Sequence, residues 1–428
     1  MGPAPATSET HPRVGPIWKP NTIITSGYSC TKPGLVTATV ARPNGVTGIH
    51  THMRTLHDGI IKAGYPCTII SPFSGSKKWM PVFAIRRLLL RPINRDWSTR
   101  WYRHWHFIAL RENLRRYLAH YPVTTVIAQC TLSARAALDV RTDLDLGYRV
   151  VMTCHFNGSE AHEFREKGEL NDEATYRNII ASEDEVLRTV DQTIHVSYWS
   201  KRSVESHRAI RLRNATVIWN GIAAAPPVSA ITRADLGLAN DDLALINVGT
   251  VEPRKNQIGL IDLFAAIYTR FPKARLLLVG NGPQYSEVQR KVERFGLYGR
   301  VKLLGVRRDV SALLALADLY IHYATLENCP VAMLEAARAG LPSAAVPVGG
   351  IPELQTQLES SVAIPANNIE VSLQTLEQLL SNPTLRAEWS RRAQHNFQKF
   401  FTCEAMVGAF LKALNLRNYP RTALKFPA

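Results

Sequence analysis

Two glutamates and a basic turn are the residues of this chain best suited to chemistry. Glu327 and Glu335 lie in the run Glu327-Asn-Cys-Pro-Val-Ala-Met-Leu-Glu335. Pro330 fits the first turn of a helix, where its missing N–H would have no partner anyway. Gly340 and Pro342 end that helix. Glu327 therefore stands in the loop before the helix and Glu335 inside it. Because the loop breaks the helical register, Glu327 can aim into a cleft at the helix start, where free N–H groups and the dipole favour an anion. Glu335 can accept hydrogen bonds from vicinal hydroxyls, as an acid does with ribose in other nucleotide sites. Among 35 acids, the pair alone says little.

The basic turn is Val248-Gly-Thr-Val-Glu-Pro-Arg-Lys-Asn256, which follows a strand pattern and opens a helix. Gly249 lets the backbone approach a ligand. Arg254 and Lys255 set two cations at the turn, where a diphosphate would gain charge-assisted hydrogen bonds. Val279-Gly-Asn-Gly-Pro283, which contains Gly282, repeats the strand, glycine turn and helix order. So does Pro347-Val-Gly-Gly-Ile-Pro-Glu353, whose two glycines permit close approach to a ligand. Val151-Met-Thr-Cys-His-Phe156 puts His155 at the C-terminal end of a strand; a lone histidine of this kind is more often structural. Two further spellings are set aside as metal sites. Asp143-Leu-Asp145 precedes a strand instead of following one, and His50 and His52, two apart at a helical entry, do not face each other. No metal site is expected.

These turns need a scaffold of alternating strands and helices, and the hydrophobic pattern supplies two such stretches. Strands read at 35–41, 67–71, 124–129, 149–154, 192–197 and 216–219. A helical run after the glycine turn Gly45–Gly48 carries Met53, Leu56, Ile60 and Ile61. A second set of strands reads at 243–249, 274–280, 301–305, 319–323, 343–348 and 362–364, with helical segments at 257–271, 284–295, 309–317, 331–339 and 369–380. Such apolar strands suit parallel sheets buried on both faces. The segment 223–230 is small and Pro-bearing and reads as a linker, and 388–416 is helical in pattern. The expected architecture is α/β, with two Rossmann-like doubly wound lobes facing a central cleft. Ligands of such sheets sit at the C-terminal ends of the strands.

The motifs occur together in one order: the glycine turn near the start, the histidine after a strand, Asn220-Gly221-Ile222, the Gly…Lys-Asn turn, Gly-x-Gly-Pro and Glu-x7-Glu. In that order the chain resembles a family 4 retaining glycosyltransferase of the GT-B fold, over about residues 35–400 and most specifically over 246–354. The resemblance implies an acceptor-binding lobe over 1–222 and a nucleotide-sugar-binding lobe over 223–404, with a helix at about 405–428 crossing back to the first. It implies a metal-independent transfer of a hexose-type sugar from a nucleotide-sugar donor to a saccharide or lipid-linked acceptor in polysaccharide biosynthesis. The acceptor would attack from the leaving-group face, so no carboxylate nucleophile is required. Glu327 would contact the donor sugar and Glu335 the ribose. Lys255 would bind the diphosphate, with Gly45 to Gly48 and the amides near Ile351 also close to it, and His155 would sit beside the transferred sugar. Gly48, Gly249, Gly282, Asn328, Cys329, Pro330 and Val331 complete the implied donor site. The family commonly has Arg after the glycine matched by Gly249; here that residue is Thr250, and Arg254 could supply the charge. No cofactor beyond the nucleotide-sugar co-substrate is implied.

Composition sets the boundaries of this reading. The 428 residues are 46% hydrophobic and 20% charged, which excludes disordered and collagen-like classes. A net charge of +16 fits a phosphate-bearing partner without naming it. Six scattered cysteines form no Cys-x-x-Cys pair and read as reduced thiols. Residues 1–20 lack the apolar core of a signal peptide, and no run is long and apolar enough to span a bilayer. A cytoplasmic protein is expected, peripheral at the inner membrane face. Residues 85–118 sharpen that point. Arg86, Arg87, Arg91, Arg95, Arg100, Arg103, Arg111, Arg115 and Arg116 stand there against only Asp96 and Glu112, and Trp97, Trp101 and Trp105 recur every fourth residue. The composition suits an amphipathic helix on an anionic membrane surface; the alternative is a solvated helix whose Trp stripe packs on the first lobe. No nucleic-acid-binding signature accompanies the charge, and no nucleic-acid partner is expected. The alternatives to a transferase are a nucleotide-sugar epimerase of the same fold and a non-catalytic nucleic-acid-binding protein.

Overall fold

The computed structural model describes residues 34–42, 45, 47–75, 77–212, 214–225 and 230–416. Residues 1–20, Cys30, Val46, the middle of the 223–230 connection and the chain beyond 416 lie outside them, and so do the expectations placed there. The five described cysteines are free.

Two six-stranded parallel sheets organise the chain. The first holds β1 (Leu35–Ala38), β2 (Cys67–Ile70), β3 (Thr125–Ala128), β4 (Arg149–Cys154), β5 (Gln192–His195) and β6 (Ala215–Val217), in the order β2-β1-β3-β4-β5-β6. The second holds β7 (Leu243–Val248), β8 (Ala274–Val279), β9 (Val301–Gly305), β10 (Leu319–His322), β11 (Ser343–Ala345) and β12 (Ser361–Ala363), in the order β12-β11-β10-β7-β8-β9. Every residue of β1, β3 and β10 is buried, as befits strands covered by helices on both faces. The architecture is two Rossmann-like lobes.

Helix Gly48–Lys62 shows how spacing sets the packing. Met53, Leu56 and Ile60 share one face and are fully buried. Ile61, one residue further round, is 45% exposed, so it does not join the apolar stripe. The tail breaks where a single helical run is expected. Helices Pro383–Phe400 and Cys403–Ala413 are separated because Phe401 and Thr402 meet the interlobe connection. Ile222 N–H donates to Phe401 O at 3.0 Å, and Cys403 N–H donates to Ile222 O at 2.9 Å. Helix Cys403–Ala413 then packs on the first lobe, with Met406, Val407 and Phe410 in one cluster with Leu56 and Ile60.

The arginine and tryptophan segment is also not one continuous helix. It runs as helix Met80–Ile85, a π-helical turn Arg86–Leu90 and a short turn Arg91–Ile93 before helix Arg95–Leu118. Asn94, extended at φ −150°, makes the break and caps the long helix by accepting from Trp97 N–H. The Trp stripe turns largely inward: Trp101 Nε1–H donates to Val82 O at 2.8 Å, and Trp105 packs against Trp79 and Trp101. Arg91, Arg100, Arg103 and Arg111 pair with Glu169, Asp172, Glu160 and Asp143. What remains exposed is a small apolar knuckle at Leu88, Leu89, Ile93 and Trp97, each more than half exposed.

A carboxylate fastens the lobes beside the connection. Glu353, in helix Ile351–Leu358 of the second lobe, accepts from Tyr198 N–H (2.8 Å) and Trp199 N–H (2.6 Å) at the start of helix Tyr198–Arg208 in the first. Trp219 Nε1–H donates to the same carboxylate at 3.4 Å. One lobe thus caps a helix of the other, where an anion meets free N–H groups. Glu353→Ala is expected to cost about 1 kcal/mol, the usual value of an N-cap, read as a lowered midpoint in urea unfolding; an unchanged midpoint would show that the cap carries no load.

Candidate active site

The site is built on the C-terminal ends of β7 and β10. Lys255 and Arg254 follow β7 in the 3₁₀ turn Pro253–Lys255. His322 ends β10, and Glu327 follows five residues later. Glu327 is 5% exposed, and its carboxylate gathers three partners. Lys255 Nζ and His322 Nε2 bind Oε1, the latter at 3.2 Å, while Arg254 Nη1 lies 3.7 Å from Oε2. Burial alone would raise this carboxyl, but Lys255, His322 and Arg254 outweigh it and hold it well below the usual carboxylate range. His322 is lowered by burial and so is neutral. Its Nδ1 accepts from the Tyr320 hydroxyl at 2.9 Å, which leaves Nε2–H to donate to Glu327. His322 is a member of this cluster that the sequence pattern does not reveal, since it closes an apolar strand run.

Glu335 sits one turn into helix Val331–Arg338. Burial raises its carboxyl, against the pull of Arg338. Arg338 spends its guanidinium on Ala223 O (2.7 Å) and Ser311 Oγ (3.0 Å) instead. Among the described residues Glu335 has no side-chain hydrogen-bond partner, so both oxygens are free to receive hydroxyls.

Three helix starts converge here. Gly48, Val331 and Ile351 open helices Gly48–Lys62, Val331–Arg338 and Ile351–Leu358, and none has a side-chain cap. A Cβ on Gly48 would stand 3.6 Å from Val331, so starts from the two lobes lie together. Gly350 N–H donates to Glu327 O at 2.9 Å, which draws the third alongside. Uncapped N–H groups beside two cations make an anion-binding pocket.

The glycine turns also make room for neighbouring backbone. Gly349 has φ +60°, and a Cβ there would collide with the Glu327 carbonyl; a Cβ on Gly350 would meet the Asn328 carbonyl. The pair makes room for the Glu327 loop. Gly282 likewise lies against the backbone of Val251. Gly249 flanks the Lys255 stem, 3.9 Å from where its Cβ would be. Cys329 is buried in the second lobe's core, its thiol pushed up to about 12 by burial, and it contributes its carbonyl, which accepts from Asn220 Nδ2–H at 2.9 Å. Pro330 forms the helix N-cap. Thr250 is exposed.

His155 comes from the first lobe yet meets this loop directly. Asn328 Nδ2–H donates to His155 O at 2.9 Å, so the residue after Glu327 ties the two lobes beside the ion cluster. His155 Nε2–H donates to Gln129 Oε1 at 3.0 Å, and its ring meets His52 edge-on with centroids 4.6 Å apart. Burial first, then His52, lowers His155 well below its ordinary value, so it is neutral. Gln129 Nε2, Asn157 Oδ1 and Asn328 Oδ1 are buried without hydrogen-bond partners around it. Buried orphan groups of this kind call for a ligand. Gln129 and Asn157 were not singled out in sequence, because isolated amides carry no spacing signal. The structure brings together His155, Asn328, Glu327, Lys255 and Arg254; Gly282 packs against Val251 and the Cys329 side chain lies in the core. Asp143 pairs with Arg111 at 2.5 Å, well away from this loop in sequence and in partners.

The two halves of the chain match two family descriptions. Residues 46–225 match Glycosyltransferase Family 4, and residues 228–396 match Glycosyl transferases group 1. The chain belongs to glycosyltransferase family 4. It is 29% identical over 163 residues to the Vi polysaccharide biosynthesis protein VipC/TviE of Salmonella typhi, covering 37% of this chain and 28% of that protein. It is 27% identical over 178 residues to the N-acetyl-alpha-D-glucosaminyl L-malate synthase of Bacillus anthracis, covering 42% and 46%. The chain thus spans less than half the length of these relatives. Its fold follows that of Anabaena HepE, crystallised in complex with UDP, with a TM-score of 0.68, 17% identity, and coverage of 90% of this chain and 100% of that one.

The ion cluster sets the acid stability of this glycosyltransferase. Glu327 has a folded value below its ordinary one, so its ionisation stabilises the fold above the ordinary carboxylate range, and that contribution is lost as pH falls through the depressed folded value. Glu327→Gln should therefore cost about 3 kcal/mol at neutral pH, the scale of breaking a buried ion pair. The gap to wild type should close on acidification; denaturant unfolding across pH that found a constant gap would contradict this.

Proposed function

We propose that the chain is a retaining, metal-independent hexosyltransferase that takes its sugar from a nucleotide-sugar donor and delivers it to a saccharide or lipid-linked saccharide in polysaccharide biosynthesis. The observation that carries this reading is the junction of Lys255 and Arg254 with three helix starts that lack side-chain caps, next to the Glu335 carboxyl, which has no hydrogen-bond partner among the described residues. Lys255, Arg254 and the helix starts at Gly48, Val331 and Ile351 take the diphosphate. Glu335 receives the ribose hydroxyls. Glu327 accepts from the transferred sugar's hydroxyls, and His155, Gln129 and Asn157 surround that sugar from the first lobe. The bound UDP in Anabaena HepE supports a uridine nucleotide. The names of the relatives support a glycan-building role.

In the transfer, the bond from the anomeric carbon to the diphosphate oxygen breaks and a bond to an acceptor hydroxyl oxygen forms on the same face. The acceptor's proton passes to the departing diphosphate. Negative charge grows on the diphosphate as this happens, and fixed cations with preorganised N–H groups stabilise it without further rearrangement. Two such cations at the turn supply charge that a metal ion would otherwise bring. Release of nucleoside diphosphate that depends on an added acceptor distinguishes transfer from epimerisation. Lys255→Ala is expected to lower kcat by about 10²–10³; near-normal turnover would remove Lys255 from the reaction.

The setting we propose is the cytoplasmic face of an anionic membrane. Among the described residues no helix is long and apolar enough to cross a membrane. The knuckle at Leu88, Leu89, Ile93 and Trp97, flanked by Arg87 and Arg91, suits shallow insertion among head groups. Co-sedimentation with phosphatidylglycerol vesicles at physiological salt should capture the protein, and the double change Leu88→Asp, Leu89→Asp should release it. A protein that stays in the supernatant in both forms would end the membrane reading.

A further inference from the structure

The first lobe holds two arginines that make no ion pair with a carboxylate among the described residues, although Glu169 acts on Arg86 from further off. β1 and β2 are parallel neighbours, with Ala38 beside Ile70, and β3 and β4 continue the same edge, with Ala38 beside Ala128 and Ala128 beside Met152. The loops that leave these strands therefore emerge on one side, the side that carries His155. Arg42 follows β1, and Phe73 follows β2. The Arg42 guanidinium stands 4.9 Å over the Phe73 ring. Arg86, in the π-helical turn, stands 4.3 Å over the Tyr102 ring. His106 joins the two halves, with its ring centroid 5.7 Å from Phe73 and 4.2 Å from Tyr102. Burial lowers His106 to about 4, helped by Arg86 and Arg42, so the bridging ring is neutral and offers neither arginine a counter-charge.

The contrast with the neighbouring arginines is what matters. Arg91, Arg100, Arg103 and Arg111 each meet a carboxylate. Among the described residues, neither Arg42 nor Arg86 has a carboxylate within ion-pair distance. Arg86 donates through Nε to Ser98 Oγ at 3.3 Å, so its two terminal nitrogens are uncommitted. Burial lowers the Arg86 guanidinium from its ordinary value. Holding a partly desolvated cation without an anion is costly. Stacking on aromatic faces fixes both guanidinium planes and leaves their N–H edges presented for bidentate binding. A run of contacts leads from Tyr102 to His155. Tyr102 neighbours Arg103, which lies 3.4 Å from Glu160; Glu160 accepts from Thr131 N–H at 2.7 Å, two residues after the Gln129 that holds His155.

We propose that Arg42 and Arg86 form an oxyanion subsite, so that the acceptor carries a carboxylate or a phosphate on the sugar unit docked against the first sheet. The inference rests on the transfer reading given above and adds the charge of the acceptor to it. A uronate and a sugar phosphate share the chemistry that two guanidinium edges recognise, and a neutral sugar lacks it.

Calorimetric titration of the full chain tests this, with UDP present at saturation. Glucuronate, glucose 6-phosphate and glucose serve as probes at low and at high salt. At least one anionic sugar is expected to bind about tenfold or more tightly than glucose, with an advantage that shrinks as salt rises. The stronger of the two identifies the source as carboxylate or phosphate. Arg86→Gln should abolish the advantage and Arg86→Lys should restore part of it. Arg42→Gln, on an exposed loop residue, should reduce the advantage without moving the melting temperature, which separates loss of the subsite from loss of fold. UDP affinity should be unchanged in all three variants. Equal affinity for glucose and the anionic sugars, or no binding of either anionic sugar, in a protein that still binds UDP overturns the subsite alone. Failure of the wild type to bind UDP or any other nucleoside diphosphate overturns the transfer reading, and the subsite with it.

Discussion

The structure depends on a carboxylate held away from water. Glu327 can be buried only because Lys255, Arg254 and a neutral His322 surround it, the two cations from the turn after β7 and the histidine from the end of β10. A buried ion that lost one partner would pay a penalty of several kcal/mol. The cluster therefore fixes the relative positions of the loops after β7 and β10 more firmly than packing between loops could. In the proposed transfer the cations that neutralise Glu327 are the ones that would meet the donor's diphosphate. An anion arriving there finds charge already in place and spends little free energy on ordering it.

Around that cluster the two lobes are joined at points of different character. Asn328 holds His155 by its carbonyl, Asn220 holds Cys329 by its carbonyl, and Glu353 caps a helix in the other lobe. None is a large apolar contact. Polar, directional links of this sort hold a register between bodies while costing little to break and remake, which suits a cleft that opens and closes.

Much of this was legible before any coordinates. Alternation of strands and helices gave both sheets, because parallel strands buried on two faces leave continuous apolar runs such as those of β3 and β10. Glu327, Lys255 and Arg254 could be read because a loop proline and a basic turn have local spellings. Three things escaped. His322 and Gln129 sit at strand ends where nothing in the neighbouring residues marks them, and only the third dimension brings them to Glu327 and His155. The paired glycines were read as openings for a ligand, and the spelling did not show that Gly349 and Gly350 also make room for the backbone of another loop; sequence shows that space is needed but not who fills it. The regular spacing of Trp97, Trp101 and Trp105 left two readings, a stripe facing a membrane or one packed on the first lobe, and did not show that it would be split between them. The extended backbone at Asn94 and the inward hydrogen bond of Trp101 divide that stripe between core and surface.

The double crossing near Ile222 bears on how the cleft can open. One strand of chain passes from the first lobe to the second at Ile222, and another returns at Phe401 to Cys403, the two joined by paired backbone hydrogen bonds. A single tether would allow swivel as well as bend. Two tethers laid side by side permit bending about the line that joins them and resist torsion, so the lobes behave like a book on its spine. Opening then moves Glu327 and His155 apart along one arc and returns them to the same alignment each time the covers close.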